Sequence, residues 1–169
     1  MPAPPRPQKT PMDDLDCQMM RRALVLAAEA RALGEVPVGA LVVRAGVVLS
    51  QAYNLRETLD DPTAHAERLA ITLAGRSLRS SRLDGCTLYA TLEPCPMCAG
   101  AVLQARIARV VYGAADPKAG ALDSLYRLAG DRRLNHRAEV IGGVLAEECG
   151  EILSLFFQER RPSSKLLKD

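Results

Sequence analysis

The sequence predicts an α/β domain of three layers, α/β/α, with helices on both faces of a central mixed five-stranded sheet. Three observations carry that prediction. Short Val-rich runs alternate with segments whose apolar residues recur at helical spacing, the pattern of a sheet covered on both sides. The first two runs, 38–44 and 47–52, are separated only by Ala45 and Gly46 and read as a hairpin, so the sheet is mixed. The 169 residues, 48 % hydrophobic and 25 % charged, suit one domain with a single core.

Each element follows in order. Residues 1–11 carry Pro2, Pro4, Pro5, Pro7 and Pro11 with Arg6 and Lys9. They are expected to be a disordered tail before a domain over 12–161, with a polar tail over 162–169. The start has no apolar core of a signal peptide, and no run approaches the roughly 18 apolar residues of a membrane span. A cytoplasmic protein without membrane contact is the expectation. Leu15, Met19, Ala23, Leu26, Ala27 and Ala30 repeat at helical spacing, and Gly34 stops that helix. After the hairpin, 55–62 is a polar loop, and Thr63 is the expected N-cap of a helix reaching 73 or 77. Residues 87–92 alternate as a strand. Pro96 can open a helix that continues over 98–106. A strand at 109–112, a Gly/Ala-rich loop at 113–121 and a short helix at 122–128 come next. A strand at 138–141 and an amphipathic helix at 146–160 complete the domain.

Two short motifs carry chemistry. His65-Ala66-Glu67 opens one helix, and Pro94-Cys95-Pro96-Met97-Cys98 follows a strand and opens another. Cysteines at i and i+3 share one face of a first turn, and a helix N-terminus lowers thiol pKa. Two thiolates and one imidazole suit Zn²⁺, and three protein ligands leave the open position of a catalytic site. Glu67 is then the expected proton shuttle, provided the metal lies beyond the helix end. Other readings stay open. A C-x-x-C after a strand also fits a thiol-disulfide oxidoreductase. A purely structural zinc would need a fourth ligand, with His136, Cys86 and Cys149 as candidates. Otherwise Cys17, Cys86 and Cys149 read as small buried hydrophobes.

The pattern H-x-E…P-C-x-x-C is the established signature of zinc nucleobase deaminases. Beyond it, Glu35-Val36-Pro37-Val38-Gly39-Ala40, Thr91-Leu92-Glu93-Pro94, Leu134-Asn135-His136-Arg137 and Phe156-Phe157 make the chain resemble the bacterial tRNA-specific adenosine deaminases over nearly its whole length. The resemblance implies a cytidine deaminase-like fold and one zinc per chain on His65, Cys95 and Cys98. It implies proton shuttling by Glu67, conversion of the wobble adenosine of a tRNA anticodon to inosine, and a homodimer. It also implies contact of Asn54 with the base, and of Asp116, with Lys118 in the same loop, with the target nucleotide. Phe157 could reach a nucleotide, though Phe156 and Phe157 read first as core. Arg160, Arg161, Lys165 and Lys168, and separately Arg132, Arg133 and Arg137, could grip phosphates, although they otherwise read as solvated. Ala119 stands where relatives often have Ser or Thr. The metal motifs are shared with deaminases of guanine, cytosine and deoxycytidylate, so a free base or nucleotide is the alternative substrate. A net charge of +2 excludes only broad, charge-driven nucleic-acid binding.

Overall fold

The structure, a computed structural model, describes residues 14–161. The expected tails at 1–11 and 162–169, with Lys165 and Lys168, lie outside the described residues.

The element order is α1 (Asp14–Ala32), β1 (Gly39–Arg44), β2 (Val47–Tyr53), α2 (Ala66–Leu78), β3 (Cys86–Leu92), α3 (Pro96–Gln104), β4 (Arg109–Ala114), β5 (Glu139–Ile141) and α4 (Ala146–Arg160). The five strands form one sheet in the order β2-β1-β3-β4-β5. β1 pairs antiparallel with β2 and β3, while β3, β4 and β5 run parallel. The expected three-layer α/β/α arrangement is therefore present. The hairpin turn has Ala45 at φ 49° and Gly46 at φ 74°, the two left-handed residues of a type I′ turn, whose twist matches that of the strands.

Side chains alternate across the sheet. Ala40, Val42, Leu88, Ala90, Val110 and Tyr112 point toward α2 and α3. Leu41, Val43, Tyr89 and Val111 point toward α1 and α4. Helix α1 lies unusually close to the sheet because Ala23 and Ala27 face it. A Cβ on Gly39 would sit 2.0 Å from the carbonyl oxygen of Ala23, so only glycine permits this approach. The buried face of α1 differs from the expected one at its start. Asp16 and Met20 are buried there, while Leu15 and Met19 are only half-buried. The rotation is explained by Asp16, whose carboxylate accepts hydrogen bonds from Tyr89 Oη (2.7 Å) and from both terminal nitrogens of Arg109 (2.8 and 2.6 Å).

Other expectations need correction. Thr63 is not the N-cap of α2; His65 holds that place. The Thr63 hydroxyl donates instead to Asp61 Oδ1 at 2.7 Å, and the backbone of 61–64 is held by turns that accept and donate outside the helix. Helix α3 ends at Gln104, with Arg106 at φ 60°. Strand β4 continues through Gly113 and Ala114. No helix forms over 122–128; a short 3-10 turn at Leu128–Gly130 is all that appears. The amides of Leu122, Asp123 and Ser124 donate to the Glu93 carboxylate rather than along a helix. Cys86 and Cys149 are buried as expected, and Cys17 is half-buried.

The parallel strands place the site. The chain leaves the carboxyl ends of β3 and β4 beside the N-termini of α2 and α3, the edge at which open α/β sheets bind ligands.

Candidate active site

Helices α2 and α3 start at one point because their N-caps are the two motif residues His65 and Cys95. Neither side chain caps its own helix, which leaves both free to face each other. Pro96 occupies the first turn of α3, where its missing N–H removes no helical bond. Cys98 then falls one turn along, buried, on the same side as Cys95.

The ring of His65 turns Nδ1 toward both sulfurs, 3.6 Å from Cys95 Sγ and 3.7 Å from Cys98 Sγ. All three atoms lie within 4.8 Å of one another. A tetrahedral ion with bonds of about 2.3 Å to sulfur and about 2.05 Å to nitrogen requires an S···N edge of about 3.6 Å. The observed separations match that edge, so the donors fit zinc in both type and spacing. Among the described residues no fourth His, Cys, Asp or Glu joins this group. The side-chain Nε2 of His136 lies 2.7 Å from the Ile107 carbonyl. Cys86 packs beside Asp84, and Cys149 lies against Gly113. None of the three possible fourth ligands is near.

Electrostatics favour metal-ready sulfur. Its hydrogen bond with Cys98, helped by His65 against the effect of burial, holds the Cys95 thiol down at about 4. The same hydrogen bond, with burial, pushes Cys98 above the ordinary thiol range. His65 is raised by its hydrogen bond with Cys95. The cluster thus carries one thiolate at neutral pH, and a bound cation is what would remove the second proton. Two helix N-termini add partial positive charge at the same point.

Glu67 sits in the first turn of α2 and is 4 % exposed. Burial pushes its carboxyl up to about 7, and it hydrogen-bonds with Cys98. This satisfies the geometric condition set for it by the sequence, since the cluster lies off the end of α2. His65, Cys95 and Glu67 open onto a pocket of about 180 Å³. Its apolar wall is Val36, Val38 and Leu92, which lie in segments that carry the family resemblance but had been assigned no place in the site.

Asn54 is buried in the pocket wall. Its Nδ2 donates to Val36 O at 3.2 Å, and its Oδ1 accepts from Arg56 N–H at 3.2 Å. Asp116 also lines the pocket, with Ala119, and its Oδ1 accepts the amides of Lys118 and Ala119 at 3.0 and 3.2 Å. Lys118 is exposed outside the pocket lining. Phe156 is core, as first read, whereas Phe157 is 51 % exposed and is not core. Arg161 is exposed. Arg160 is less free than its sequence context suggests. It donates to the Gly34 carbonyl and lies over the Phe156 ring, 4.4 Å from its centroid. Arg133 pairs with Asp131. Glu93, buried in the pocket lining, was given no role by sequence reasoning. Its signals were a glutamate just past the end of a strand, ahead of the cysteine motif, and its place in the Thr91-Leu92-Glu93-Pro94 segment.

Comparison with known proteins gives a consistent result. Residues 13–114 match the model of the cytidine and deoxycytidylate deaminase zinc-binding region. The chain is 51 % identical over 146 residues to the tRNA-specific adenosine deaminase of Bacillus subtilis (strain 168), covering 86 % of this chain and 91 % of that protein. It is 49 % identical over 156 residues to the protein of the same name from Haemophilus influenzae, covering 92 % and 90 %. Among solved structures, one from studies of A-to-I editing by tRNA:A34 deaminases at the wobble position of transfer RNA superposes with a TM-score of 0.78. It shares 44 % identity, over 80 % of this chain and 99 % of that one. A guanine deaminase from Bacillus subtilis superposes with a TM-score of 0.56 at 42 % identity, over 58 % of this chain and 63 % of that one.

Proposed function

The chain belongs to the cytidine and deoxycytidylate deaminase zinc-binding family, and from that premise we propose that it converts adenosine to inosine at the wobble position of a tRNA anticodon, with one zinc ion per chain. The observation that carries the chemistry is the placement of His65 Nδ1, Cys95 Sγ and Cys98 Sγ at tetrahedral edge lengths beside a buried glutamate. Similarity to tRNA-specific adenosine deaminases over nearly nine-tenths of the chain supports the substrate.

His65, Cys95 and Cys98 would hold the metal. Zinc bound there supplies Lewis acidity, the chemistry that makes water nucleophilic at neutral pH. The net reaction consumes one water and releases ammonia. Glu67 accepts the proton of the attacking water and delivers it to the departing amine, so one carboxyl serves as base and then as acid. Its burial suits both roles, because desolvation raises the carboxyl from the usual carboxylate range and so makes it a better proton carrier. The apolar wall of Val36, Val38 and Leu92 excludes bulk water around the base. Asn54 has one amide hydrogen and acceptor capacity beyond its two backbone bonds, enough to hold a purine edge. Asp116 uses Oδ1 within its loop and has Oδ2 for the sugar.

An unpaired anticodon base is extruded at a cost of a few kcal/mol or less. Phe157 offers an exposed face for stacking, and Lys118 and Arg161 offer exposed charge for phosphate. Arg160, already tied to Gly34, contributes less. A homodimer completes the reading. Ala99, Val102 and Ala105 of the α3 segment pack inward, so the small-residue face left outward is Gly100 and Ala101 with Leu103. Sedimentation at micromolar protein is expected to give twice the 18.2 kDa chain mass. Among the described residues no helix is long and apolar enough to cross a membrane; action in the cytoplasm, where tRNA is found, is part of the proposal.

A free-base substrate is the second reading, supported by the guanine deaminase likeness. Both are tested by incubating purified protein with total tRNA and analysing nucleosides for inosine. Free adenosine, guanine, cytosine and deoxycytidylate run in parallel. Inosine in tRNA, with slow turnover of the small molecules, is expected; the reverse pattern overturns the tRNA substrate.

A further inference from the structure

Glu93 follows the last residue of β3 and precedes Cys95 by two positions; it is 1 % exposed. A buried carboxylate is costly unless its oxygens are matched by donors, and here the donors come from one loop, 115–124. Oε2 accepts the Asp116 amide at 3.0 Å and the Ser124 hydroxyl. Oε1 accepts the amides of Leu122, Asp123 and Ser124 at 3.2, 2.7 and 2.9 Å. Gly120 passes so near that a Cβ there would lie 2.3 Å from Oε2. No helix or strand runs through this loop; most of its tethers converge on this carboxylate, beside the Ala121 amide donating to Pro94 O and the Tyr112 hydroxyl donating to Asp123. Its pocket-facing members are Asp116 and Ala119, and Asp116 closes the turn between them through the Ala119 amide.

The connection is short. The strand that delivers Cys95 to the metal cluster also delivers Glu93 to the loop, so the cluster and the loop are referenced to the same piece of backbone. We propose that Glu93 is a positioning residue for the deamination reaction: by gathering the amides of loop 115–124 it fixes Asp116 relative to the His65, Cys95 and Cys98 cluster, and so sets where the target nucleotide lies. This rests on the function proposed above. Glu93 acts through Asp116 and touches no reacting atom. A glutamine in its place would turn an NH2 group toward amide donors and release part of the loop. An alanine at 120 would press the loop off the carboxylate from the other side, away from the metal ligands.

The test uses Glu93→Gln, Gly120→Ala, Asp116→Ala and the double variant Glu93→Gln/Asp116→Ala of the full chain loaded with zinc. Misplacement by about 1 Å can lower rates on the order of 10²-fold. Both Glu93→Gln and Gly120→Ala are expected to lose about that much in kcat/KM for tRNA, with zinc content unchanged. Hydrogen exchange at amides 116 and 122–124 is expected to accelerate in both. Because Glu93 acts through Asp116, the double variant is expected to be no slower than the worse single variant. Wild-type kcat/KM in Glu93→Gln, fully additive losses in the double variant, or zinc lost in proportion to activity would each overturn the proposal. Absence of inosine with wild-type protein overturns the proposed function instead. Unchanged exchange at those amides in Glu93→Gln overturns the anchor whatever the substrate proves to be.

Discussion

Glu67→Gln separates chemistry from folding, because the two effects have opposite sign. The substitution keeps size and one hydrogen-bonding oxygen but removes the transferable proton. Positioned proton transfer contributes about 10²–10⁴-fold, or roughly 3–5 kcal/mol of barrier. The upper end is expected here, since the carboxyl is used twice and the other pocket carboxylates are engaged. Glu93 is held by loop amides and Asp116 by its own turn. Stability moves the other way. Burial raises Glu67 from 4.5 to about 7, so its folded form holds the proton more tightly than the unfolded chain. The favourable linkage is fully present below pH 4.5 and is lost as pH rises toward 7. Above pH 7 the buried charge then costs on the order of 3 kcal/mol relative to a neutral isostere. Glutamine never ionises, so the zinc-free variant is expected to be more stable than the zinc-free parent at pH 8 and equal to it near pH 4.5. A nearby cation favours the charged carboxylate, so zinc should shrink the difference. The assays are inosine formation in tRNA, elemental zinc, and urea unfolding at the two pH values. Near-normal turnover with full zinc would assign the proton to another group, and equal stability at pH 8 would show that the carboxyl is not desolvated.

Four further variants have expected outcomes drawn from other contacts of the structure. Cys95→Ala removes one of three donors and is expected to lose most of the zinc by elemental analysis; full retention removes the ligand assignment. Asp16→Asn breaks a paired buried carboxylate and is expected to cost about 2–3 kcal/mol at pH 7, below the 3–5 of fully buried pairs because Arg109 is partly exposed. Burial alone would raise Asp16, but Arg109 and Tyr89 lower it below 3.8, so its contribution is present above that pH and lost as pH falls through the folded value; urea melts from pH 7 to 3 should show a flatter acid limb in the variant. Arg161→Ala is expected to weaken tRNA binding and reduce its salt dependence by about one phosphate contact without altering unfolding. Arg160→Ala should instead lower stability through Gly34 and Phe156, and filter binding across salt with parallel melts would show if the two arginines behave alike.

Much of the architecture was written in local pattern. Short Val-rich or apolar runs marked β1 and β4, alternation marked β3, helical periodicity marked α1 and α4, and Ala45-Gly46 marked the hairpin. The metal cluster was legible because each half is a short motif at a helix start, and only the distance between halves needed the fold. Sequence alone could not tell that His65 rather than Thr63 begins α2, because Thr63 is taken by a turn with Asp61. Nor could it tell that Asp16 belongs to the core, since its partners Tyr89 and Arg109 lie more than seventy residues away. Residues 122–128 read as helix, yet Glu93, some thirty positions earlier, captures their first amides. Arg160 reads as solvated until α4 packs its end against Gly34. The division has one physical cause. Periodicity and cap chemistry act over a few residues and are printed in the chain, whereas a buried polar group must find whatever donor the fold brings to it, and that choice is made only when the strands close.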